Sequence, residues 1–443
     1  MLQRALRSVP LAYARGSVAA AALLVAAALI AAAGLFAADQ LEDIISLPYD
    51  HKAIQYYERT PSDPVMRLSD RLDKHLVKLD YAAGQTYLPA LLKQLDINPD
   101  SQVLVFSQTS LQSARISMAR PRAVYFNDNV SVGWVQGGDV MELSALDPIL
   151  GVNFYTMDTH KSDSPFLARR DVCLQCHLGA QTLGVPGLMV SSLYPNKPTA
   201  AGLHSASYIT DHRTPFADRW GGWYITGSMG GQKHLGNAKL EAGPRGDRVD
   251  AQGGVDLESL DGRVDMKPYP ASTSDVVALM TLEHQTRMTN LMTRIAWDTR
   301  IAQADGKLEA SKDKLNGEIE ELVGYMLFTD EAPLTAPVAG TSTFTKTFSA
   351  RGPRDKQGRS LREFDLNTRL FKYPLSYMIY APAFDAMPEY ARERIYRRVY
   401  DIVTGVDTNA KFARIDAAAR EGILEIVRGT KTNLPAYWKS GAK

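Results

Sequence analysis

The spacing of apolar residues changes near residue 100 and again near residue 270. Between residues 62 and 95 they recur every three or four positions, as at Val65, Leu68 and Leu72, and this spacing predicts helices. After residue 100, short β-branched and aromatic runs predict strands, two of them joined by a hairpin turn at Asn127-Asp128-Asn129. The predicted strands cover residues 103–106, 123–126, 130–135, 141–143 and 152–157.

The last third of the chain returns to helical spacing. Ser274-Asp275 is a suitable N-cap for a long first helix. The predicted helices cover residues 274–304, 310–328, 389–404 and 410–428. Before them, residues 227–270 are rich in Gly and Asp and predict a long surface loop. The acidic residues from Asp247 to Asp265 could hold calcium, but they match no ordered calcium loop, so a solvated loop is favoured.

The pattern as a whole predicts an α+β fold. A β-rich middle region, residues 101–270, lies between a helical N-terminal segment, residues 39–100, and a mainly helical C-terminal region, residues 271–443.

Ahead of these, residues 1–38 carry three arginines followed by an unbroken apolar run from Val18 to Ala38. That layout is typical of an export signal, and the run is also long enough to remain as a membrane anchor. In either case we expect the body of the protein on the outer face of the membrane.

Charge and composition narrow the classes of partner. The chain has 50 Lys and Arg against 49 Asp and Glu, a net charge of +1, and no long basic run. Nucleic acid and anionic membrane surfaces are therefore poor candidates for partners. The 45% hydrophobic content is that of a soluble globular protein. Only two cysteines are present and they lie in one short motif, so no cysteine remains for a structural disulfide.

That motif is Cys173-Leu174-Gln175-Cys176-His177. Two cysteines three residues apart can hold the vinyl groups of a haem, and the adjacent histidine then reaches the iron. A thioredoxin-like site is disfavoured because no βαβ pattern surrounds the pair. A structural zinc site would need four ligands, and a second cysteine pair is missing, although two distant histidines could complete one.

The five residues match the haem-attachment motif of c-type cytochromes, and the chain resembles that family. The resemblance implies one covalent haem c, with thioether bonds at Cys173 and Cys176 and His177 as the proximal iron ligand. Residues 120–138 and 211–224 resemble stretches of large, uncharacterised bacterial proteins with a cytochrome c domain. The chain departs from small cytochromes c in its length, its β-rich lead-in and its lack of a clear late Met-bearing loop.

The sixth ligand of the iron decides between two functions: an electron carrier usually has both axial positions of the iron filled, whereas a haem enzyme needs one of them open. His212 is the first choice, because Asp211 could orient it, nearby aromatic residues could pack on a porphyrin, and Arg213 and Arg219 could pair with propionates. An ordinary hydrogen-bonded loop histidine is the alternative interpretation of His212. The other candidates are His234, His284, Met189 and Met229, with His160 and His204 less favoured and His51 and His75 expected at the surface.

The sequence therefore predicts an electron-transfer protein of the bacterial cell envelope, periplasmic or on the outer face of the cytoplasmic membrane. It would dock weakly with a redox partner protein. The alternative is a peroxidase-like or other small-molecule oxidoreductase with an open iron position. No catalytic residue is assigned for it, although His212, Arg213 or Glu283 could supply a distal acid or base. A third interpretation is a subunit whose extra domain mainly binds a partner complex.

Overall fold

The computed structural model describes residues 48–108, 110–193, 207–243, 246–249 and 256–439. The segment predicted as an export signal or anchor, residues 1–38, lies outside these ranges, as does His204. Tyr49–Lys443 forms one compact unit, and the predicted subdivision at residues 100 and 270 stays a prediction. Among the helices within the described ranges, none combines the length and the apolar character needed to cross a membrane.

An antiparallel sheet occupies the middle of the fold. Its seven strands are β1 (Val103–Val105), β2 (Arg122–Phe126), β3 (Val130–Trp134), β4 (Val140–Asp147), β5 (Gly151–Asp158), β6 (Leu167–Arg169) and β9 (Trp223–Tyr224). Their spatial order is β6-β5-β4-β3-β2-β1-β9. The predicted turn at residues 127–129 is confirmed: Asn127 accepts from the backbone N–H groups of Asn129 and Val130 through its side chain, at 3.0 and 2.9 Å.

Three further strand pairs are short. They are β7 (Val190–Leu193) with β8 (Ser207–Thr210), β10 (Gly227–Ser228) with β13 (Ala339–Gly340), and β11 (Leu240–Gly243) with β12 (Gly246–Val249). The last pair lies inside the segment predicted as a surface loop, so part of that segment is a β-hairpin.

Along the chain, helices come before and after the main group of strands. They are α1 (Pro64–Asp73), α2 (Leu88–Gln94), α3 (Leu174–His177), α4 (Val276–Ala304), α5 (Lys312–Met326), α6 (Phe344–Ala350), α7 (Pro382–Asp385), α8 (Glu389–Val403), α9 (Ala417–Thr430) and α10 (Ala436–Lys439). The predicted α+β class is confirmed. The helix predicted over residues 410–428 begins later than expected, because Asp416 caps it by accepting from the N–H of Ala419.

Helix α1 covers one face of the sheet. Its N-cap, Asp63, is buried and accepts from the backbone N–H groups of Val65 and Met66, both at 2.9 Å. The same carboxylate accepts from the Tyr155 hydroxyl at 2.6 Å, which ties the start of α1 to β5. Val65 and the other apolar residues of α1 then join the sheet core.

Helix α4 is the central helix of the molecule. It has 29 residues and contacts α5 and α8 as well as strands β1, β5 and β7, so it is buried on nearly every side. Three of its buried hydroxyls are satisfied within the helix: Thr281, Thr293 and Thr299 each donate to the carbonyl four residues earlier, at 2.7 to 2.9 Å. Other polar side chains of α4, among them Gln285 and Asn290, form hydrogen bonds to segments outside the helix.

Candidate functional site

The Cys173–His177 turn follows β6, the edge strand of the sheet. Residues Asp171–Cys173 form a 3-10 turn and lead into α3, so both cysteines and the histidine lie within about one helical turn. Leu174 is buried and anchors the turn, whereas Cys173 is half-buried and Cys176 is exposed. The turn therefore holds its apolar residue inward and leaves both thiols accessible.

His177 is fixed by one hydrogen bond. Its Nδ1 lies 2.9 Å from the carbonyl oxygen of Gly187, and its ring centroid lies 4.7 Å from that of Phe154 on β5. A carbonyl only accepts, so Nδ1–H donates and the lone pair of the neutral ring lies on Nε2. Burial lowers the pKa of His177, and the bond to Gly187 opposes that shift. Nε2 has no hydrogen-bond partner within the described ranges, which is the arrangement of a histidine ready to bind a metal.

The loop after the turn folds back onto it. The backbone N–H of Gly187 donates to the carbonyl of His177 at 3.0 Å, and that of Gly184 donates to the carbonyl of Gly179 at 2.7 Å. The hydroxyl of Thr182 also contacts the His177 carbonyl, at 3.3 Å. The histidine is thus held through its backbone as well as its ring.

The thiol of Cys173 lies in surroundings that favour its protonated form. Burial raises the pKa of the Cys173 thiol, and the carboxylate of Glu142 raises it further. Glu142 is ion-paired with Arg122, with 2.5 Å between Oε2 and Nη2. A thiol–disulfide oxidoreductase needs a lowered pKa at its attacking cysteine. The site therefore does not have the electrostatics of a thioredoxin-like pair.

Two large apolar side chains near the turn are exposed. Val172, directly before Cys173, is 49% exposed, and Phe166, just ahead of β6, is 60% exposed. Val172 therefore puts an apolar side chain at the surface directly next to Cys173 in the chain.

His212, the predicted distal ligand, lies in a different environment. It is 2% exposed, and its Nδ1 lies 2.9 Å from Nδ1 of His284, which was also a candidate ligand. The His212 ring stacks on Tyr325 at 4.0 Å, and Nε2 of His284 lies 2.7 Å from the hydroxyl of Ser376. His212 and His284 are called the buried histidine pair below. Burial lowers the pKa of both rings, that of His284 to about 3, so the pair is neutral.

The buried histidine pair and His177 contact different residues, so ligation of an iron by His212 stays a prediction. Nε2 of His212 is buried and finds no hydrogen-bond partner in the part of the chain that the structure describes. The backbone carbonyl of His212 accepts from Arg219 at 2.7 Å. Iron binding at Nε2 would require the packing around this ring to open.

The arginines predicted to face haem propionates have carboxylate partners. Arg213 pairs with Asp211, with 2.6 Å between Nη2 and Oδ2. Arg219 and Glu283 form a fully buried ion pair at 3.1 Å, and Glu283 also accepts from the hydroxyl of Thr210 at 2.7 Å. These contacts assign both arginines a structural role, while the propionate role stays a prediction.

The remaining candidates are scattered. His234 is buried beside Trp220, its pKa is lowered to about 4 by burial, and its Nδ1 accepts from the N–H of Gly236. Met229 is also fully buried, whereas Met189 is half-buried, two residues beyond Gly187. His160 and His51 lie near Asp158 and Asp305, and His75 is exposed. The residues that contact the His177 ring, Phe154 and Gly187, carried no sequence pattern that could have found them.

No family model, no curated protein and no solved structure matches this chain. In addition, no group of three or more His, Cys, Asp or Glu side chains that could hold a metal ion occurs among the described residues. The resemblance to c-type cytochromes, and to large bacterial proteins with a cytochrome c domain, is therefore wrong as an assignment of family. It rested on a five-residue motif, which can occur on unrelated folds, and on the stretches 120–138 and 211–224.

Proposed function

We propose that the Cys173–His177 turn binds one haem covalently and that the protein transfers electrons outside the cytoplasm. The observation that carries the proposal is the bond from Nδ1–H of His177 to the Gly187 carbonyl, 2.9 Å long, beside two accessible thiols. This bond leaves Nε2 as the ligand atom and makes the ring more basic toward iron. The proposal rests on the chemistry of the site and not on membership of a family.

Each residue of the turn has a defined task in this proposal. A protonated thiol at Cys173 or Cys176 adds across one vinyl group: sulfur bonds to one vinyl carbon and the thiol hydrogen goes to the other. Both cysteines must therefore be reduced and unpaired, as they are here. Val172 supplies an apolar contact beside the first sulfur.

When bound, the haem iron supplies a one-electron couple between the ferric and ferrous states. The protein sets the potential of that couple through His177, its hydrogen bond and the burial of the site. No acid or base is needed for this task. A donor or acceptor protein would dock through a small, weak interface.

Export is a second part of the proposal. The arginines and the apolar run of residues 1–38 are the sequence observation that supports it. Covalent attachment outside the cytoplasm would place the protein in the periplasm or on the outer face of the cytoplasmic membrane.

A haem enzyme with an open iron position is the second candidate, and one observation favours it. The side chain of His212 contacts His284 and Tyr325, and none of its hydrogen bonds or ring contacts within the described ranges reaches the Cys173–His177 turn. An iron bound by His177 alone would keep a position for a small ligand such as peroxide.

The test is expression of the full chain with a haem-attachment system, followed by denaturing electrophoresis and absorption spectroscopy. We expect haem that stays on the denatured chain in the wild type and is lost from the Cys173→Ala/Cys176→Ala double variant. Absence of haem from folded wild-type protein would overturn the proposal. A matched control is Ser191→Ala, which leaves the turn intact.

Carbon monoxide separates the two candidate functions. A reduced spectrum that carbon monoxide leaves unchanged indicates an iron with both axial positions filled and favours the electron carrier. Rapid binding of carbon monoxide indicates an open position and favours the enzyme.

A further inference from the structure

Asn290 of the central helix α4 contacts the loop that holds His177. It is 2% exposed, its Oδ1 accepts from the backbone N–H of Leu188 at 2.9 Å, and its Nδ2 donates to the carbonyl of Leu188 at 2.7 Å. One side chain therefore satisfies both backbone groups of the residue that follows Gly187. Two hydrogen bonds to one residue fix its backbone in position and orientation.

Gly187 lies directly against the same amide. A Cβ placed on Gly187 would come within 2.3 Å of Oδ1 of Asn290 and 3.0 Å of Cβ of Thr182. A side chain at this position would therefore push the loop away from α4. The absence of a Cβ lets the loop approach close enough for both hydrogen bonds of Asn290.

The contacts form a continuous path from α4 to the imidazole. Asn290 holds Leu188, the peptide bond joins Leu188 to Gly187, and the carbonyl of Gly187 accepts from His177. Displacement of this segment would lengthen the bond at Nδ1 of His177. That bond fixes the tautomer and the basicity of the ring, and through them the electron density given to a metal.

We propose that Asn290 is a positioning residue that sets the reduction potential of the haem by fixing the Gly187 carbonyl against His177. This inference rests on the proposed haem function. Loss of the Asn290 contacts weakens the Nδ1–H bond and makes His177 a poorer electron donor. The ferric state then loses stabilisation, and the potential rises.

The experiment measures the reduction potential and the visible spectrum of haem-loaded full-length protein in Asn290→Ala. We expect a higher potential and a shifted spectrum with the haem still covalently attached. The matched control is Gln285→Ala, which removes another buried amide of α4, one that contacts Asn127 and Tyr377 and not the loop. Its potential should equal that of the wild type. Equal potentials in Asn290→Ala and the wild type would overturn the inference.

Two further measurements cover the other outcomes. If Asn290→Ala does not fold, Gly187→Ala disturbs the same contact from the loop side, and an unchanged potential there counts against the inference. If the wild type binds no haem, the proposed function fails, and nitrogen NMR of His177 in the haem-free protein still tests the positioning. We expect protonation at Nδ1 in the wild type and a mixture of tautomers in Asn290→Ala; the same tautomer in both would refute the role of Asn290.

Discussion

His177 and His212 each have Nδ1 in a hydrogen bond of 2.9 Å, but their surroundings are opposite. His177 lies on a half-exposed turn, next to accessible thiols, and its bond to a carbonyl leaves Nε2 available. His212 lies in the buried histidine pair, stacked on Tyr325, with its carbonyl held by Arg219. The difference supports the proposal that His177 binds a ligand, whereas the contacts of His212 are those of a packed core residue.

The largest effect on stability is expected where the buried histidine pair meets the ion pair of Arg219 and Glu283. Arg219→Met keeps most of the side-chain volume but leaves Glu283 without its cation in a fully buried site. Removing one partner of a buried ion pair costs about 3–5 kcal/mol. Urea unfolding should show this loss.

The control for this substitution is the surface pair of Lys74 and Asp70. Lys74→Met should change the free energy of unfolding by less than about 1 kcal/mol, because exposed pairs contribute little. Equal losses of unfolding free energy in Arg219→Met and Lys74→Met would show that burial does not increase the cost of breaking an ion pair.

The next effect depends on pH and comes from Glu331, which precedes the residue that donates to the His212 carbonyl. Burial raises the pKa of Glu331 from 4.5 to about 7, against the opposing bond from Leu370 N–H. Between these two values the unfolded chain loses the proton while the folded chain keeps it, so stability falls as pH rises. This loss of stability is absent below the pKa of the unfolded state and becomes constant above the pKa of the folded state.

Glu331→Gln should therefore gain up to about 3 kcal/mol relative to the wild type when the pH is raised from 4 to 8. Unfolding by urea at a series of pH values measures this difference. Glu258→Gln, which makes the same change at an exposed position, is the matched control for the substitution itself. A pH-independent difference for Glu331→Gln would show that its carboxyl ionises normally.

These two regions also show how much of the molecule could be predicted from sequence. The strands at 122–134, their turn and the long helix α4 were predicted because periodicity and turn residues are local properties. The turn of Cys173 to His177 was found because its chemistry depends on short spacing. The partner of His212 was not found, because His284 is 72 residues away and their meeting depends on tertiary packing. Asn290 was missed for the same reason: it lies 102 residues from the loop that it holds.

A smaller effect is expected from His212→Phe. The phenyl ring keeps the stacking on Tyr325 and removes the unpartnered Nε2, but it leaves Nδ1 of His284 without its hydrogen bond. We expect a loss of about 1–2 kcal/mol and an unchanged haem spectrum, because the side chain of His212 contacts His284, Tyr325 and Phe328 and not the Cys173–His177 turn. A changed spectrum would instead identify His212 as an iron ligand and would show that the pair opens when haem binds.

The smallest effect on stability is expected at Val172. This substitution tests most directly whether the exposed turn, unlike the buried histidine pair, binds a ligand. This side chain is 49% exposed, so Val172→Ser should change the free energy of unfolding of the haem-free protein by less than about 0.5 kcal/mol. If the residue serves to cover an apolar cofactor beside Cys173, the same substitution should lower the yield of covalently bound haem. Val406→Ser is the matched control, since Val406 is 72% exposed and lies just beyond α8, outside the turn. Equal haem yields in both variants would mean that the exposed valine has no part in binding, and that the thiols and His177 alone define the site.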